Sequence, residues 1–304
     1  MIPFQVGTLQ NGFKWQSASA AEANNWQDVA FGNGVFVAVS NDGINRVMRS
    51  TDNGATWTAI AAAEDNLWNS ITYGNGVFIA VAGSGTNRTM YSDDDGLTWT
   101  AVAASSLSNW SSIAYGNGVF VAVGGSGTDH VMRSTDDGVS WSSVVQTGTW
   151  NSIAYGNSVF VAVGQNGTKR TMYSDDDGVT WVEITAAEDN SWQDVAFGNG
   201  VFVAVSNDGT NRTMYSDDDG VTWTAVAASE DNIWYCIAYG NSAFVAVSTN
   251  GTNRVMRSTD DGVSWSSVAA AESNAWIGIG FGNSVFVAVT GTGTNRVMRS
   301  SYGL

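Results

Sequence analysis

One tryptophan returns along the whole chain at a near-constant interval. Trp26, Trp68, Trp110, Trp150, Trp192, Trp234 and Trp276 are separated by 42, 42, 40, 42, 42 and 42 residues, and each opens a copy of the same segment. A fixed period near 40, rich in alternating apolar residues and turn glycines, predicts one small sheet per repeat with the sheets arranged radially. No linker interrupts the copies, so residues 1–304 read as a single domain rather than two.

Each copy resolves into four short strands. In the first, Gln27 to Phe31 reads as a strand, followed by Gly32-Asn33-Gly34. Asn-Gly is a strong hairpin signal because both residues tolerate the positive φ of a type I′ turn. Val35 to Val39 is an apolar, β-branched run too short for a helix, which predicts a strand buried on both faces. Ser40 to Asn45 is polar and reads as a loop. Arg46 to Ser50 and Thr56 to Ile60 supply the third and fourth strands, and Ala61 to Asn66 leads to the next Trp. The fold class predicted is therefore all-β: a seven-bladed β-propeller of four-stranded antiparallel blades, almost without helix.

Between the third and fourth strands stands Ser50-Thr51-Asp52-Asn53-Gly54-Ala55-Thr56-Trp57. The pattern recurs from Ser92, Ser134, Ser174, Ser216 and Ser258, carrying Asp94, Asp136, Asp176, Asp218 and Asp260 at the position of Asp52. Its chemistry is local: the carboxylate can accept N–H groups of its own turn, glycine supplies a positive φ, and tryptophan plugs apolar space. The pattern resembles the Asp-box, or BNR repeat, found in propellers of sialidases, sortilin-type receptors, xyloglucan-degrading enzymes and photosystem assembly factors. These aspartates are expected to be structural. A calcium role is the rival, but Asp93-Asp94-Asp95 lacks alternating ligand spacing.

The seventh copy ends after its third strand, Arg296 to Ser300. Asn11-Gly12-Phe13-Lys14-Trp15-Gln16-Ser17 aligns with Asp261 to Ser267, so residues 12–22 are expected to complete the last blade and remove an open sheet edge. The aspartate of that split hairpin is lost, and it should be the loosest of the seven.

Composition narrows the function classes. A net charge of −16 disfavours nucleic acid, since counterion release needs a cationic surface. Half of the acidic residues, 14 of 28, lie in the recurring hairpin, so the charge follows largely from turn chemistry. Met1 to Gly12 has no basic n-region and no apolar core of signal-peptide length, and no membrane span is expected. The single Cys236 excludes an internal disulfide and is expected to be a buried thiol; His130 has no Cys or His neighbours. Neither a metal nor a cofactor is expected, the chain should be monomeric, and its compartment is left open.

Candidate ligand-binding residues lie on the face that carries the second-to-third loops and the blade connections. Six loops end in arginine, at Arg46, Arg88, Arg170, Arg212, Arg254 and Arg296, and the third ends in His130. Five of the arginines follow an asparagine: Asn45, Asn87, Asn211, Asn253 and Asn295. Connections such as Glu64-Asp65-Asn66, Glu188-Asp189-Asn190 and Glu230-Asp231-Asn232 precede a strand-opening Trp. An aromatic face beside Asn, Asp and Arg is the chemistry of a shallow sugar site. Two readings stand beside each other. In one, the arginines pair with glutamates and the tryptophans pack between blades. In the other, Trp, Asn and Arg of adjacent copies form repeated weak glycan sites.

Catalysis of the sialidase type needs residues that converge once, whereas every blade offers nearly the same short loops. No catalytic residue is expected. The apolar strands followed by the Asp-box pattern are also similar to repeats of bacterial surface and phage tail proteins, and the Arg ring would suit a protein scaffold similar to the photosystem assembly propellers. The expected function is a non-catalytic recognition module, lectin-like and multivalent, with a protein partner as the alternative.

Overall fold

The structure is a computed structural model that describes residues 13–127 and 129–301. These residues form seven four-stranded antiparallel sheets and no helix. In the first blade the strands run Trp26–Gly32, Val35–Ser40, Val47–Ser50 and Thr58–Ile60 from the axis outward. The seventh sheet is assembled from both ends of the chain: Trp15–Ala18 lies antiparallel to Val297–Ser300, with Trp15 opposite Ser300. Ring closure by the amino-terminal segment is therefore as expected, although Asn11 and Gly12 lie outside the described residues.

All four strands differ at a limit from the sequence reading: the second runs on to Ser40, the third begins at Val47 rather than Arg46, and the outer and inner strands differ for local reasons. The outer strand begins at Thr58 rather than Thr56 because the Asp52 carboxylate takes the Thr56 amide at 2.9 Å and its hydroxyl at 2.6 Å, holding that residue in the hairpin. The inner strand gains Trp26 and Gly32, and it carries a bulge the sequence did not announce. Trp26 pairs with Ser40 and Asp28 with Val39, leaving Gln27 as the extra residue. The same shift recurs in all seven blades. Such an insertion breaks the strict alternation of side chains and re-aims its neighbours.

The first turn is type I′, with φ of 46° at Asn33 and 82° at Gly34. Gly32 is required for a different reason: a Cβ there would lie 2.1 Å from the ring of Tyr73 in the next blade. The second strands are buried on both faces. The core is divided into seven clusters, one per blade interface. Between the first two blades, Val37, Val39 and Val47 meet Trp68, Ile71, Phe78 and Met90. Burial of that apolar area stabilises the ring at roughly 25 cal/mol per Å².

Candidate functional site

The two faces of the ring are marked by their hydrogen bonds. On one, the first-to-second turn reaches the neighbouring hairpin, as where Asn33 Nδ2 donates to Asp95 Oδ1 at 2.9 Å. On the other, connections meet second-to-third loops: Glu22 Oε1 accepts from Asn45 Nδ2 at 2.6 Å, and Asn24 Nδ2 donates to the Asn45 carbonyl at 2.6 Å.

The sequence-derived sugar residues lie on this second face, but they are spent on the scaffold. All seven strand-opening tryptophans are buried, with at most 1% of their surface exposed, so none offers a ring face to a sugar. The Trp26 indole N–H donates to the Glu22 carbonyl at 3.0 Å, and Trp68, Trp192, Trp234 and Trp276 bond to the equivalent glutamate carbonyls. Trp110 uses Ser106 and Trp150 uses Thr147. Asn45, Asn87, Asn211, Asn253 and Asn295 each donate to the glutamate of their own blade's connection.

The arginines do not pair with those glutamates. They donate to main-chain carbonyls: Arg46 to Asn66 at 2.7 Å, Arg88 to Ser108 at 2.7 Å, Arg170 to Asn190 at 2.7 Å and Arg212 to Asn232 at 2.7 Å. Arg254 donates to the Thr249 carbonyl within its own loop, and Arg296 closes the circle on Asn24 at 2.7 Å. His130 stands in the same role, its Nδ1 against the Gly148 carbonyl. Glu22, Glu64, Glu230 and Glu272 accordingly sit below the usual carboxylate range, the asparagine hydrogen bonds outweighing burial.

The hairpin aspartates lie on the opposite face. Asp94 accepts the Ser92 hydroxyl at 2.8 Å, the Leu97 and Thr98 amides at 3.1 and 2.9 Å, and the Thr98 hydroxyl at 2.6 Å. Burial alone would raise its pKa, but these donors lower it, and Asp52, Asp136, Asp176, Asp218 and Asp260 are lowered in the same manner. A carboxylate so fully engaged by its own turn is a structural element.

The cavity lies on the axis. A funnel of about 390 Å³ is lined by the residues that follow the opening tryptophan of each inner strand, and beside the bulge both members of the pair reach it in six blades, whereas in the seventh Ile277 reaches it and Gly278 does not. Five different pairs occur in the seven blades: Gln27-Asp28 and Gln193-Asp194 are alike, Asn69-Ser70 and Asn151-Ser152 are alike, and Ser111-Ser112, Tyr235-Cys236 and Ile277-Gly278 occur once each. Below them lie nearly buried aliphatic residues such as Val29, Ile71, Ile113 and Ile237. The funnel is asymmetric, with amides on one arc and Tyr235 (39% exposed) and Ile277 on another. The loops are nearly the same in every blade, as the sequence reads, but the funnel they surround is not.

Two carboxylates stand in this wall. Asp28 Oδ1 accepts its neighbour Val29 N–H at 2.8 Å, while Oδ2 accepts the Ser70 hydroxyl at 2.8 Å and the Ile71 N–H at 3.0 Å. Asp194 accepts the Ser152 hydroxyl, the Val195 N–H at 2.9 Å and the Ile237 N–H at 2.7 Å, and the Cys236 thiol bonds to it as well. Desolvation pushes Asp28 up to about 6 against those donors, with the Asp194 charge adding to the rise. Desolvation also raises Asp194. Cys236, half-buried rather than buried, is raised well above its ordinary value by desolvation and by both carboxylates, which keeps it a thiol.

A family model described as the DUF6242 β-propeller domain matches residues 142–298, just over half of the chain. The chain belongs to this family. No curated protein matches it. Among solved structures, a catalytically inactive virginiamycin B lyase from Staphylococcus aureus with quinupristin is similar to this DUF6242 propeller at a TM-score of 0.81 and 14% identity. That match covers 96% of this chain and 100% of the other. A structure of YCF48 bound to D1 peptide is similar at 0.71 and 16% identity, covering 97% and 96%. At such identities the likeness is one of fold.

For the DUF6242 propeller the funnel is what the sequence reading missed. A signal for it was present. The copies are nearly alike in their apolar strands and hairpins, yet they diverge at the two residues after each Trp and at the residue before it, which is Asn25, Leu67, Asn109, Thr149, Ser191, Ile233 or Ala275.

Proposed function

We propose that this propeller is a non-catalytic recognition module that binds a segment of a protein partner across its loop face, with the axial funnel as the pocket that receives it. The observation that carries the reading is the asymmetric funnel, placed where the otherwise repeated blades differ. A cavity of about 390 Å³ admits a side chain or a small polar group but not a folded element, which fits an extended peptide lying across the mouth. YCF48, a propeller of similar fold, has been captured with a peptide, which supports a protein partner here. The hairpins' resemblance to the Asp-box supports a scaffold role for that face and nothing catalytic. The funnel carboxylates and thiol are occupied with one another and with backbone amides, which favours binding over catalysis.

A glycan is the second reading, favoured by the exposed ring of Tyr235 beside amides and Asp28. It would occupy the funnel once rather than the blade interfaces several times, since the interface tryptophans are covered. The two readings separate on a peptide array and a glycan array probed with the same protein. Peptide signals that vanish in Tyr235→Ala and persist in Asn157→Ala, on the far face, are the expected result. Signals confined to glycans would transfer the funnel to sugar recognition, and silence on both arrays would overturn the recognition reading.

A further inference from the structure

The chemistry of the funnel is one-sided. Four side-chain amides stand at its mouth, and each spends its N–H on a main-chain carbonyl. Gln27 Nε2 donates to Asn25 O at 3.1 Å and Asn69 Nδ2 to Trp110 O at 2.9 Å. Asn151 Nδ2 donates to Trp192 O at 2.8 Å and Gln193 Nε2 to Ser191 O at 3.2 Å. A carbonyl partner requires the NH₂ group, so the orientation of each amide is set and its oxygen is the atom left over. Among the described residues no protein donor reaches any of these four oxygens.

The deeper ring adds acceptors of full charge. A carboxylate offers about four acceptor positions. Asp194 fills them with Ser152, Val195, Ile237 and Cys236. Asp28 has three filled, by Val29, Ser70 and Ile71. The difference has a structural cause: on the side of Asp28 where a seventh-blade donor would stand, the chain has Gly278, and a Cβ there would lie 2.6 Å from the Gln27 carbonyl. No Lys, Arg or His lines the funnel to neutralise either charge. Unpaired acceptors in a half-buried cavity are costly unless a donor arrives.

We propose that the funnel binds one cationic N–H donor, the basic side chain of a peptide partner, with its charge on Asp28, its remaining N–H groups on the amide oxygens of Gln27 and Asn69, and its alkyl stem along Tyr235 and Ile277. This rests on the protein-recognition reading above and specifies which residue of the partner enters. The ring of Tyr235 adds a face to which a cation is attracted, and the apolar arc accepts the methylene stem that such side chains carry. The overall charge of −16 steers a basic segment toward the molecule and disfavours an acidic one.

The test uses the full chain and five probes followed by NMR titration. Four are pentapeptides Gly-Gly-X-Gly-Gly, blocked at both ends, with X as Lys, Arg, norleucine or Glu; the fifth is 1,4-diaminobutane. The Lys or Arg peptide should bind at least tenfold more tightly than the norleucine peptide, and the Glu peptide should not bind. Asp28→Asn should weaken the basic peptides tenfold or more. Gln27→Met, which leaves the carboxylate in place, should weaken them several-fold and serves if Asp28→Asn does not fold. Asp94→Asn, on the opposite face, should leave binding unchanged. Norleucine binding as well as lysine would overturn the cation assignment while leaving peptide recognition intact. Binding of the diamine but of no peptide would keep the cation site and remove the peptide source. Failure of every cationic probe, or full affinity in both funnel variants, would overturn the proposal.

Discussion

Asp28 holds a proton more readily in the folded chain than in the unfolded one, and the sign of its effect on stability follows. Its pKa rises from 3.8 to about 6 on folding. Between those values the native state binds a proton that the unfolded chain has released, so its contribution falls as pH rises through that window and is level above it. Asp28→Asn should therefore compare more favourably with the parent at pH 7.5 than at pH 4.5 in denaturant unfolding. Equal differences at the two pH values would contradict the desolvation. The groups that share its surroundings are Asp194 and Cys236; Asp194 is shifted in the same direction, while Cys236 is raised and stays neutral across the window. A second residue-scale prediction concerns the inner turns. Ser158, Ser242 and Ser284 hold φ of 65°, 54° and 63° where other blades place glycine, as at Gly34, whose Cβ position is open space. Ser284→Gly should raise stability by about 1 kcal/mol by relieving a left-handed conformation, measured as a shift in the denaturant midpoint.

The hairpin was legible in the sequence at the level of single atoms, because its pattern is a list of the donors and the acceptor that close it. Asp94→Ala removes an acceptor for two hydroxyls and two amides and should cost about 1–2 kcal/mol in chemical denaturation. It should leave the affinity for the lysine pentapeptide untouched. Because these carboxylates are depressed, their stabilisation is present above the unfolded value and is lost as pH falls through the folded one, opposite in sign to Asp28. The inner strand was legible only in part. Alternation of apolar residues announces a strand, but a bulge depends on which partner residue is skipped, and that is a property of the pair rather than of either segment. The sequence reading therefore placed function on Trp26 and Arg46, which recur, and passed over Gln27 and Asp28, which vary. Recurrence in this chain marks the parts that hold the ring together; the tryptophan of each copy and Arg46, Arg88, Arg170, Arg212 and Arg296 are such parts.

At the scale of the whole ring, the amino-terminal strand is, among the described residues, the partner of Val297–Ser300 on its outer side. Deleting residues 1–22 should leave that edge unpaired and give aggregation or strand-exchanged assemblies in size-exclusion chromatography, while the full chain should elute as a monomer. A truncated chain that remains monomeric and melts with the parent would refute the closure. The bulge has one more consequence. By lifting two residues of each inner strand out of the packing alternation, it turns them toward the funnel, where they bond to the next blade through polar groups while the apolar side chains around them form the blade interface. Gly278 is the exception, held by the approach of the Gln27 carbonyl. In the other blades a duplicated gene segment can exchange one polar pair for another there, as the five different pairs show, while the valine and tryptophan layers stay the same. On the recognition role proposed above, one ring is readdressed from one partner to another by rewriting the codons of these pairs, and specificity is inherited separately from architecture.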